Sequence, residues 1–409
     1  MVDGIALGEQ MPVPLTGGAT GTARDIGITV TLTHRVEDVT ETWNVLAASG
    51  IQSPGQSLGF TRLWAREFGI AEADQFYLLA SRKGLPLALL PLHRRRVRGV
   101  RILTWFPGPH VGCNAPLVDA AALATMSPAE RRAMWTALLR HVEGADVVYL
   151  KAVPQTFVDG VDVFAELGQS IAVETLYRAQ FSSWDEANTT QRSKSRRKHD
   201  RQQGDRLEAL GEVSFETLGN GEQAIDALDI MFRQRAVRFR AMGVFDPFAP
   251  PQVRAFYDAT ARQDSGVEIK LHLLRLNGVI TAVRYNIVAG NRMFCLISSM
   301  SDDPTIQTGS PGKQCLLRVM QTEFDAGFSM FDMGAGFTDE KRHWCNVQIP
   351  VRQHYQPITR RGALAAQAHR NWALLRQRIK SDIRLLKLAK TARGLLVRAL
   401  GKPPAGAED

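Results

Sequence analysis

One segment of the sequence has the composition of a phosphate-binding loop: Gln307-Thr308-Gly309-Ser310-Pro311-Gly312-Lys313. Glycines let the backbone come close to a ligand, and the free N–H groups at the start of the following helix attract an anion such as a pyrophosphate. The segment lacks the Lys-Ser/Thr ending of a nucleotide P-loop and does not spell G-x-G-x-x-G, which disfavours ATP and dinucleotides. Ordinary turn chemistry explains the same Gly and Pro residues, so both interpretations stay open on spacing alone.

A second group of candidate phosphate contacts is the basic run from Arg192 to Arg206, which holds seven basic and two acidic residues. Because Arg makes bidentate contacts with phosphate, Arg196 and Arg197 are candidate substrate-binding residues for a nucleotide-linked or lipid-linked sugar. A solvated helix face explains the run equally well. No aromatic residues are interleaved for base stacking, so no specific nucleic-acid partner is predicted.

The elements that must position the glycine loop form a βαβ unit. The stretch 292–300 is prone to form a strand, the loop opens a helical pattern, and 328–336 returns as a strand closed by two glycines. Upstream, Asn277-Gly278 predicts a type I′ hairpin. The residues that define the helical pattern are Leu316, Leu317, Met320 and Phe324.

The order of elements recurs in the two halves of the chain. A chain of 409 residues exceeds the usual single core, so two domains are expected. We predict a mixed α/β fold with domains at 28–181 and 182–360. Residues 1–27 show little apolar periodicity and predict a disordered leader, and residues 361–409 form a basic tail.

The composition is that of a globular protein, with 44% hydrophobic and 22% charged residues. The sequence shows neither a signal-peptide pattern nor an apolar run long enough to span a bilayer. The four cysteines form no C-x-x-C motif, which argues against a zinc site or a disulfide framework. We therefore predict a cytoplasmic protein that needs no metal.

The net charge of +9 is concentrated in the tail, because eleven Lys and Arg against one acid lie between Arg360 and Arg398. Within residues 370–400, apolar residues recur at helical spacing beside cations, which predicts a basic amphipathic helix. Such a helix could bind an anionic membrane surface, at the inner face of the membrane, or an anionic signalling nucleotide. Packing on the second domain with the cations in water is the alternative.

The chain resembles the CelD/BcsL-type acetyltransferases, a group of the GNAT superfamily related to the FemAB aminoacyltransferases. The resemblance covers most of residues 40–360 and implies two tandem GNAT-like domains. The resemblance is carried by Ser310-Pro311-Gly312, the helix with Leu316, Gly327, Phe331-Asp332, Gly336, Lys341 and Trp344. The pyrophosphate loop of ordinary GNAT proteins is Gln/Arg-x-x-Gly-x-Gly/Ala, and Gln307 to Gly312 is similar, with Ser310 replacing the middle glycine. Glu340 stands where the family usually has Tyr.

The resemblance implies a site for an acyl-CoA donor and roles for particular residues. Acetyl-CoA would bind at Ser299 and Met300 on the strand before the loop, and along the loop at Gln307, Gly309, Ser310, Gly312 and Lys313. Asp332 and Lys341 match the family motif and are the predicted catalytic residues. Arg284 and Tyr285 are weaker candidates for lining the acceptor cleft.

The implied function is transfer of an acetyl or longer acyl group to an amino or hydroxyl group of a sugar precursor, in the synthesis of an exopolysaccharide or of a cellulose-like or adhesive polysaccharide. Direct transfer is favoured over a covalent intermediate, because no Ser or Cys lies in a recognisable nucleophile motif. Two alternatives stay open. One is FemAB-like aminoacyl transfer to a peptidoglycan precursor, and the other is a non-catalytic subunit of the polysaccharide machinery.

Overall fold

The computed structural model describes residues 19–23, 27–156, 162 and 164–381. The strands are β1 (Ala19–Ala23), β2 (Ile28–Thr33), β3 (Gln75–Arg82), β4 (Leu85–Val97), β5 (Val100–Trp105), β6 (Leu117–Val118), β7 (Val147–Pro154), β8 (Gln169–Gln180), β9 (Val213–Leu218), β10 (Ile269–Leu276), β11 (Val279–Ala289), β12 (Arg292–Met300), β13 (Met330–Ala335) and β14 (Val347–Pro357). The helices are α1 (Thr40–Ala47), α2 (Leu58–Glu67), α3 (Ala120–Thr125), α4 (Pro128–Arg140), α5 (Trp184–Glu186), α6 (Lys194–Glu208), α7 (Glu222–Ala241), α8 (Pro251–Ala261), α9 (Pro304–Gln307), α10 (Pro311–Asp325), α11 (Asp339–Trp344) and α12 (Arg360–Ser381).

The described strands belong to one mixed sheet, in the order β1-β2-β3-β4-β5-β7-β14-β8-β13-β12-β11-β10-β9, with β6 paired to β4. Each half contributes one parallel pair, β5 with β7 and β12 with β13. The order strand, two helices, three strands, two helices, strand runs from β2 to β7, with the short β6 inserted after the third of the three strands, and again from β9 to β13. This repeated mixed α/β order confirms the predicted fold class.

The two halves exchange their last strands. β8 follows β7 in the sequence but pairs with β13 of the second half. β14, the last strand, lies between β7 and β8. The sheet is therefore continuous across the predicted boundary between residues 181 and 182.

Local turn chemistry sets several elements, and the predicted hairpin at Asn277-Gly278 is one of them. Asn277 and Gly278 take φ values of 50° and 78°, the left-handed conformations that a type I′ turn between β10 and β11 requires. Ser127 accepts a hydrogen bond from the Glu130 N–H and the Glu130 carboxylate accepts from Ser127, so a capping box starts α4.

Two helical layers cover the sheet. One core lies under α1, α2, α7 and α8 and combines aromatic residues of both halves, with the Phe60 and Phe256 rings 4.8 Å apart. Separate cores lie under α4 and under α10. Strand residues alternate between layers, since Tyr77 packs in the first core and Leu78 in the second. Each helix thus has a fixed place over the sheet.

A buried polar network fixes α10 on the sheet. The Glu323 carboxylate on α10 lies 2.8 Å from His272 Nε2 and 2.5 Å from Lys270 Nζ. Asn286 Nδ2 donates to the Lys270 carbonyl and contacts His272 Nδ1 at 2.9 Å. Burial lowers the pKa of His272, which agrees with a neutral ring that donates from Nε2 to Glu323.

Two predicted regions lie partly outside the described residues. Within the predicted leader, Ala19–Ala23 pairs antiparallel with β2, which corrects the expectation of disorder for that piece. Backbone pairing with the edge of β2 supplies order that apolar periodicity did not signal. Residues 1–18 and 24–26 and the tail from 382 onward are outside the description, while α12 begins the predicted tail helix. No helix of the described residues combines the length and apolar character needed to cross a bilayer.

A buried ion pair joins the halves at the centre of the sheet. Arg178 on β8 and Asp332 on β13 lie opposite each other in the ladder, with 2.9 Å between Nε and Oδ2. Their side chains are 5% and 3% exposed, so the two charges are almost fully desolvated. Such a pair is costly to break from one side because the remaining charge stays buried.

We expect Arg178→Met to lower the free energy of unfolding by about 3–5 kcal/mol, because Asp332 is then left as an unpaired buried charge. The double variant Arg178→Met/Asp332→Leu should be more stable than Arg178→Met alone. Urea unfolding of the single and double variants measures both values. A double variant that loses the sum of the two single losses would contradict direct coupling between these side chains.

Candidate active site

The parallel strands β12 and β13 separate after a short pairing. They pair only from Arg292 to Phe294 on β12 and from Met330 to Asp332 on β13. Beyond that point β12 continues beside β11 to Met300. β13 continues beside β8, with Ala335 opposite Leu176. Alternate backbone groups of residues 295–300 therefore face a gap between the strands without a strand partner.

A β-bulge reshapes the edge of this gap. Tyr285 is opposite Ile297, but Asn286 is opposite Cys295, so Leu296 is an extra residue on β12. A bulge bends its strand and redirects the neighbouring backbone groups, and bulges are common beside active sites. The bulge therefore contributes to the separation of β12 from β13.

The glycine loop leads from β12 into α10 at the same end of the gap. Ser310, the N-cap of α10, has φ 50° and ψ 60°, a left-handed conformation that glycine adopts without cost. In the GNAT pattern this position is the middle glycine. The left-handed backbone at Ser310 explains the preference for glycine there. Gly312 follows in the first turn, where a Cβ would lie 3.0 Å from Met300 Sδ.

The basic helix α6 packs directly on the glycine loop. Gln203 Nε2 donates to Ser310 Oγ at 2.7 Å, and Gln314 Nε2 donates to the Asp200 carbonyl at 2.7 Å. A Cβ at Gly309 would lie 2.8 Å from Leu207 Cβ, so only glycine fits there. Loop and basic helix thus form one unit.

The other predicted donor-binding residues shape the turn from β12 to the loop. Ser299 Oγ donates to Gln234 Oε1 on α7 at 2.7 Å, and Gln307 Nε2 donates to the Ser301 carbonyl. Lys313 forms no ion pair with a described residue. The predicted donor residues therefore meet at one end of the gap, where Lys313 supplies a cation.

The predicted catalytic pair instead holds the loop after β13. Asp332 is bound to Arg178, and its Oδ1 accepts from the Gly334 N–H at 3.0 Å. Lys341 Nζ donates to three carbonyls, those of Gly334, Ala335 and Gly336, at 2.7–3.0 Å. Burial lowers the pKa of the Lys341 ammonium. These contacts make both side chains structural supports of this segment, and the catalytic roles that the motif implies stay predictions.

Arg284 and Tyr285 also differ from the expectation that they line the acceptor cleft. Tyr285 is fully buried, with its hydroxyl 2.7 Å from Thr260 Oγ1. Arg284 is 7% exposed, and its Nη2 donates to the Gly312 carbonyl at 3.2 Å and to Glu340 Oε1 at 2.7 Å. Arg284 thus ties the start of α10 to α11.

The predicted phosphate contacts on α6 separate into two environments. Arg196 is bound to Asp200 at 3.1 Å and lies within 4.0 Å of Asp339 on α11. Arg197 donates to backbone carbonyls and lines a cavity of about 400 Å³ between α5, α6 and α10. Three further arginines line the same cavity: Arg192, Arg201 and Arg318. Of the two predicted contacts, Arg196 and Arg197, only Arg197 lines this cavity.

One residue at the gap was not predicted. Arg235 on α7 donates from Nη1 to the Ser298 carbonyl on β12 at 2.7 Å, and its guanidinium lies 4.5 Å above the Phe248 ring. The sequence places Arg235 among four arginines between residues 233 and 240. Nothing in that spacing distinguishes the one that turns inward, so only the packing of α7 reveals it.

Comparison with known proteins supports the GNAT interpretation of this geometry. Residues 194–342 match the family model of the acetyltransferase (GNAT) domain. The matched segment begins at the first residue of α6 and ends within α11, so it contains the glycine loop and both strands of the gap. The chain thus has a GNAT fold, with its domain match in the second half. No curated protein matches the chain in sequence.

Two solved structures share the fold. One is the C-terminal domain of a candidate lysylphosphatidylglycerol synthetase from Agrobacterium fabrum, 14% identical, with a TM-score of 0.50; the match covers 83% of this chain and 96% of that one. The other is FemX, 11% identical, with a TM-score of 0.50, covering 74% and 96%. At these identities the likeness concerns the fold.

The left-handed Ser310 yields a stability prediction. Ser310→Gly and Ser310→Ala both lose the hydrogen bond from Gln203, but only glycine relieves the left-handed backbone. We therefore expect the Gly variant to be more stable than the Ala variant by about 1–2 kcal/mol. Urea unfolding measures the difference, and equal stabilities would show that the loop does not impose this conformation.

Proposed function

We propose that this protein is an acyltransferase that takes an acyl group from acyl-CoA, with acetyl-CoA as the expected donor. The observation that carries the proposal is the glycine loop with its left-handed Ser310, placed where β12 and β13 separate. The first turn of α10 offers a pyrophosphate the Gly312 N–H, which donates to no described residue, and the positive end of a helix dipole. Lys313 adds a cation beside it.

The gap supports the chemistry of thioester cleavage. In the proposed reaction, an amino or hydroxyl group of the acceptor attacks the thioester carbonyl, the C–S bond breaks, and the CoA thiolate leaves and takes up a proton. The unpaired backbone N–H groups of residues 295–300 can stabilise the developing oxyanion.

The first half of the chain does not offer an equivalent gap. β5 and β7 also pair briefly, from Ile102 to Leu103, but the following loop runs into their opening. The Asn114 N–H donates to the Ala152 carbonyl at 2.9 Å, and Trp105 Nε1 donates to the Lys151 carbonyl at 3.1 Å. We therefore assign donor binding to the second half alone.

We further propose a sugar precursor as acceptor, with a role in polysaccharide synthesis as in the CelD/BcsL-type enzymes. The support is the sequence resemblance together with Arg197 in the cavity between α5, α6 and α10, where a phosphate of a nucleotide-linked or lipid-linked sugar could bind. Thiol release from acetyl-CoA in the presence of individual sugar nucleotides tests the acceptor. Transfer of an aminoacyl group, or a non-catalytic role, is the alternative outcome.

Donor binding is tested by calorimetry with acetyl-CoA. Gly312→Glu should weaken binding by about 100-fold or more, because a carboxylate then faces the pyrophosphate, and like charges in contact cost several kcal/mol. Gly219→Glu is the matched control, since a Cβ at Gly219 meets nothing within 4 Å.

Acetyl-CoA binding that is saturable in the native protein and in Gly219→Glu, and lost in Gly312→Glu, supports the proposal. Equal binding by all three proteins places the donor elsewhere. The absence of binding to the native protein at millimolar donor removes the acyl-CoA hypothesis and favours aminoacyl transfer or a non-catalytic role.

Arg235 provides a kinetic test of the gap. Arg235→Gln loses the contact that holds the Ser298 carbonyl, so the backbone donors of β12 move from their positions. We expect kcat to fall roughly 10- to 100-fold with a nearly unchanged KM for acetyl-CoA, since small displacements of reacting groups are costly. Arg233→Gln, an exposed neighbour on α7, should retain the native kcat. A loss shared by both variants would rule out a specific role for Arg235.

A further inference from the structure

Exposed apolar side chains form a patch at the end of α7 and in the loop that follows it. Val237, Met242, Val244 and Phe245 are 37%, 51%, 40% and 63% exposed. Phe248, a few residues on, is 9% exposed and packs into the core against Phe232 and Tyr257. The loop is therefore anchored at its end while its tip presents apolar groups to solvent.

Basic residues outnumber acids in the sequence of this patch, and its nearest acid is Asp246, which directly follows Phe245. Between Ile230 and Phe245 the sequence holds four arginines and no Asp or Glu. Arg233 is paired with Asp229, and Arg235 turns inward to Ser298. Arg238 and Arg240 are exposed and form no ion pair with a described residue. We call Val237, Arg238, Arg240, Met242, Val244 and Phe245 the α7 tip.

We propose that the α7 tip docks on an anionic lipid surface. Such a surface has a layer of anionic headgroups over a layer of apolar acyl chains. Apolar side chains flanked by arginines, with no acid among them, match both layers. The apolar groups enter the boundary of the acyl chains, while the guanidinium groups meet the phosphates of the headgroups. The long Arg side chains reach the headgroups while their stems cover apolar surface.

The position of the α7 tip relates it to the candidate active site. The same helix sends Arg235 to the Ser298 carbonyl and Gln234 to Ser299, both on the gap edge of β12. When the protein docks through the α7 tip, that edge of the gap therefore lies near the lipid surface. This arrangement suits an acceptor carried by a lipid, although docking itself requires no acyl transfer and goes beyond the proposed function.

Flotation with vesicles tests the proposal on the full chain, without acyl-CoA. The native protein should float with vesicles that contain phosphatidylglycerol, and weakly with phosphatidylcholine alone. Val244→Ser/Phe245→Ser should reduce partitioning by about tenfold, because it removes buried apolar area. Arg238→Gln and Arg240→Gln should each reduce it by about fivefold, the loss expected for one basic residue near an anionic surface.

Matched controls separate the tip from exposed apolar groups in general and from the basic tail. Leu85→Ser and Val279→Ser change residues that are 70% and 66% exposed elsewhere, and should float as the native protein does. Thermal unfolding checks that each variant is folded. Native flotation by Val244→Ser/Phe245→Ser, or lack of flotation by the native protein, overturns the proposal. A loss caused only by Lys387→Gln/Lys390→Gln assigns docking to the tail and also overturns it.

Discussion

The buried pair of Arg178 and Asp332 is the constraint on which the arrangement of the two halves depends. It joins β8 of the first half to β13 of the second at the middle of one sheet. Around it lie Cys113, whose thiol pKa burial raises to about 12, and Arg292, whose guanidinium pKa burial lowers to about 10. Removing these charged groups from water costs desolvation free energy. The packing of both halves together must therefore hold the pair in place.

The exchange of strands makes that packing unavoidable. Because β14 lies between β7 and β8, neither half can complete its sheet without a strand of the other. The loop of the first half also reaches the end of β13, where a Cβ on Gly112 would lie 2.6 Å from Gly334 Cα. The first half thus fills its own strand opening and supports the strand that borders the opening of the second half.

Local chemistry made much of the fold predictable. Asn277-Gly278, Ser127 and the glycine loop specify turns and helix starts through residues that are neighbours in the sequence. The roles of Asp332 and Tyr285 could not be predicted in this way. Asp332 meets an arginine 154 positions away, and a motif position carries no information on such a partner. Tyr285 lies on a strand that is buried on both faces, so alternation did not show which side chains reach a cleft.

The helix α6 precedes the strands β12 and β13 in the sequence, but it lies within the segment that matches the GNAT domain model and packs on the glycine loop. Gln203, Leu207 and Asp200 contact Ser310, Gly309 and Gln314, so the helix carrying the basic run sits directly against the first turn of α10. The arginines of α6 and the positive end of the α10 dipole therefore lie on elements that are in direct contact. The basic run, which on its own is explained equally well as a solvated helix face, is thus fixed against the start of the helix that follows the glycine loop.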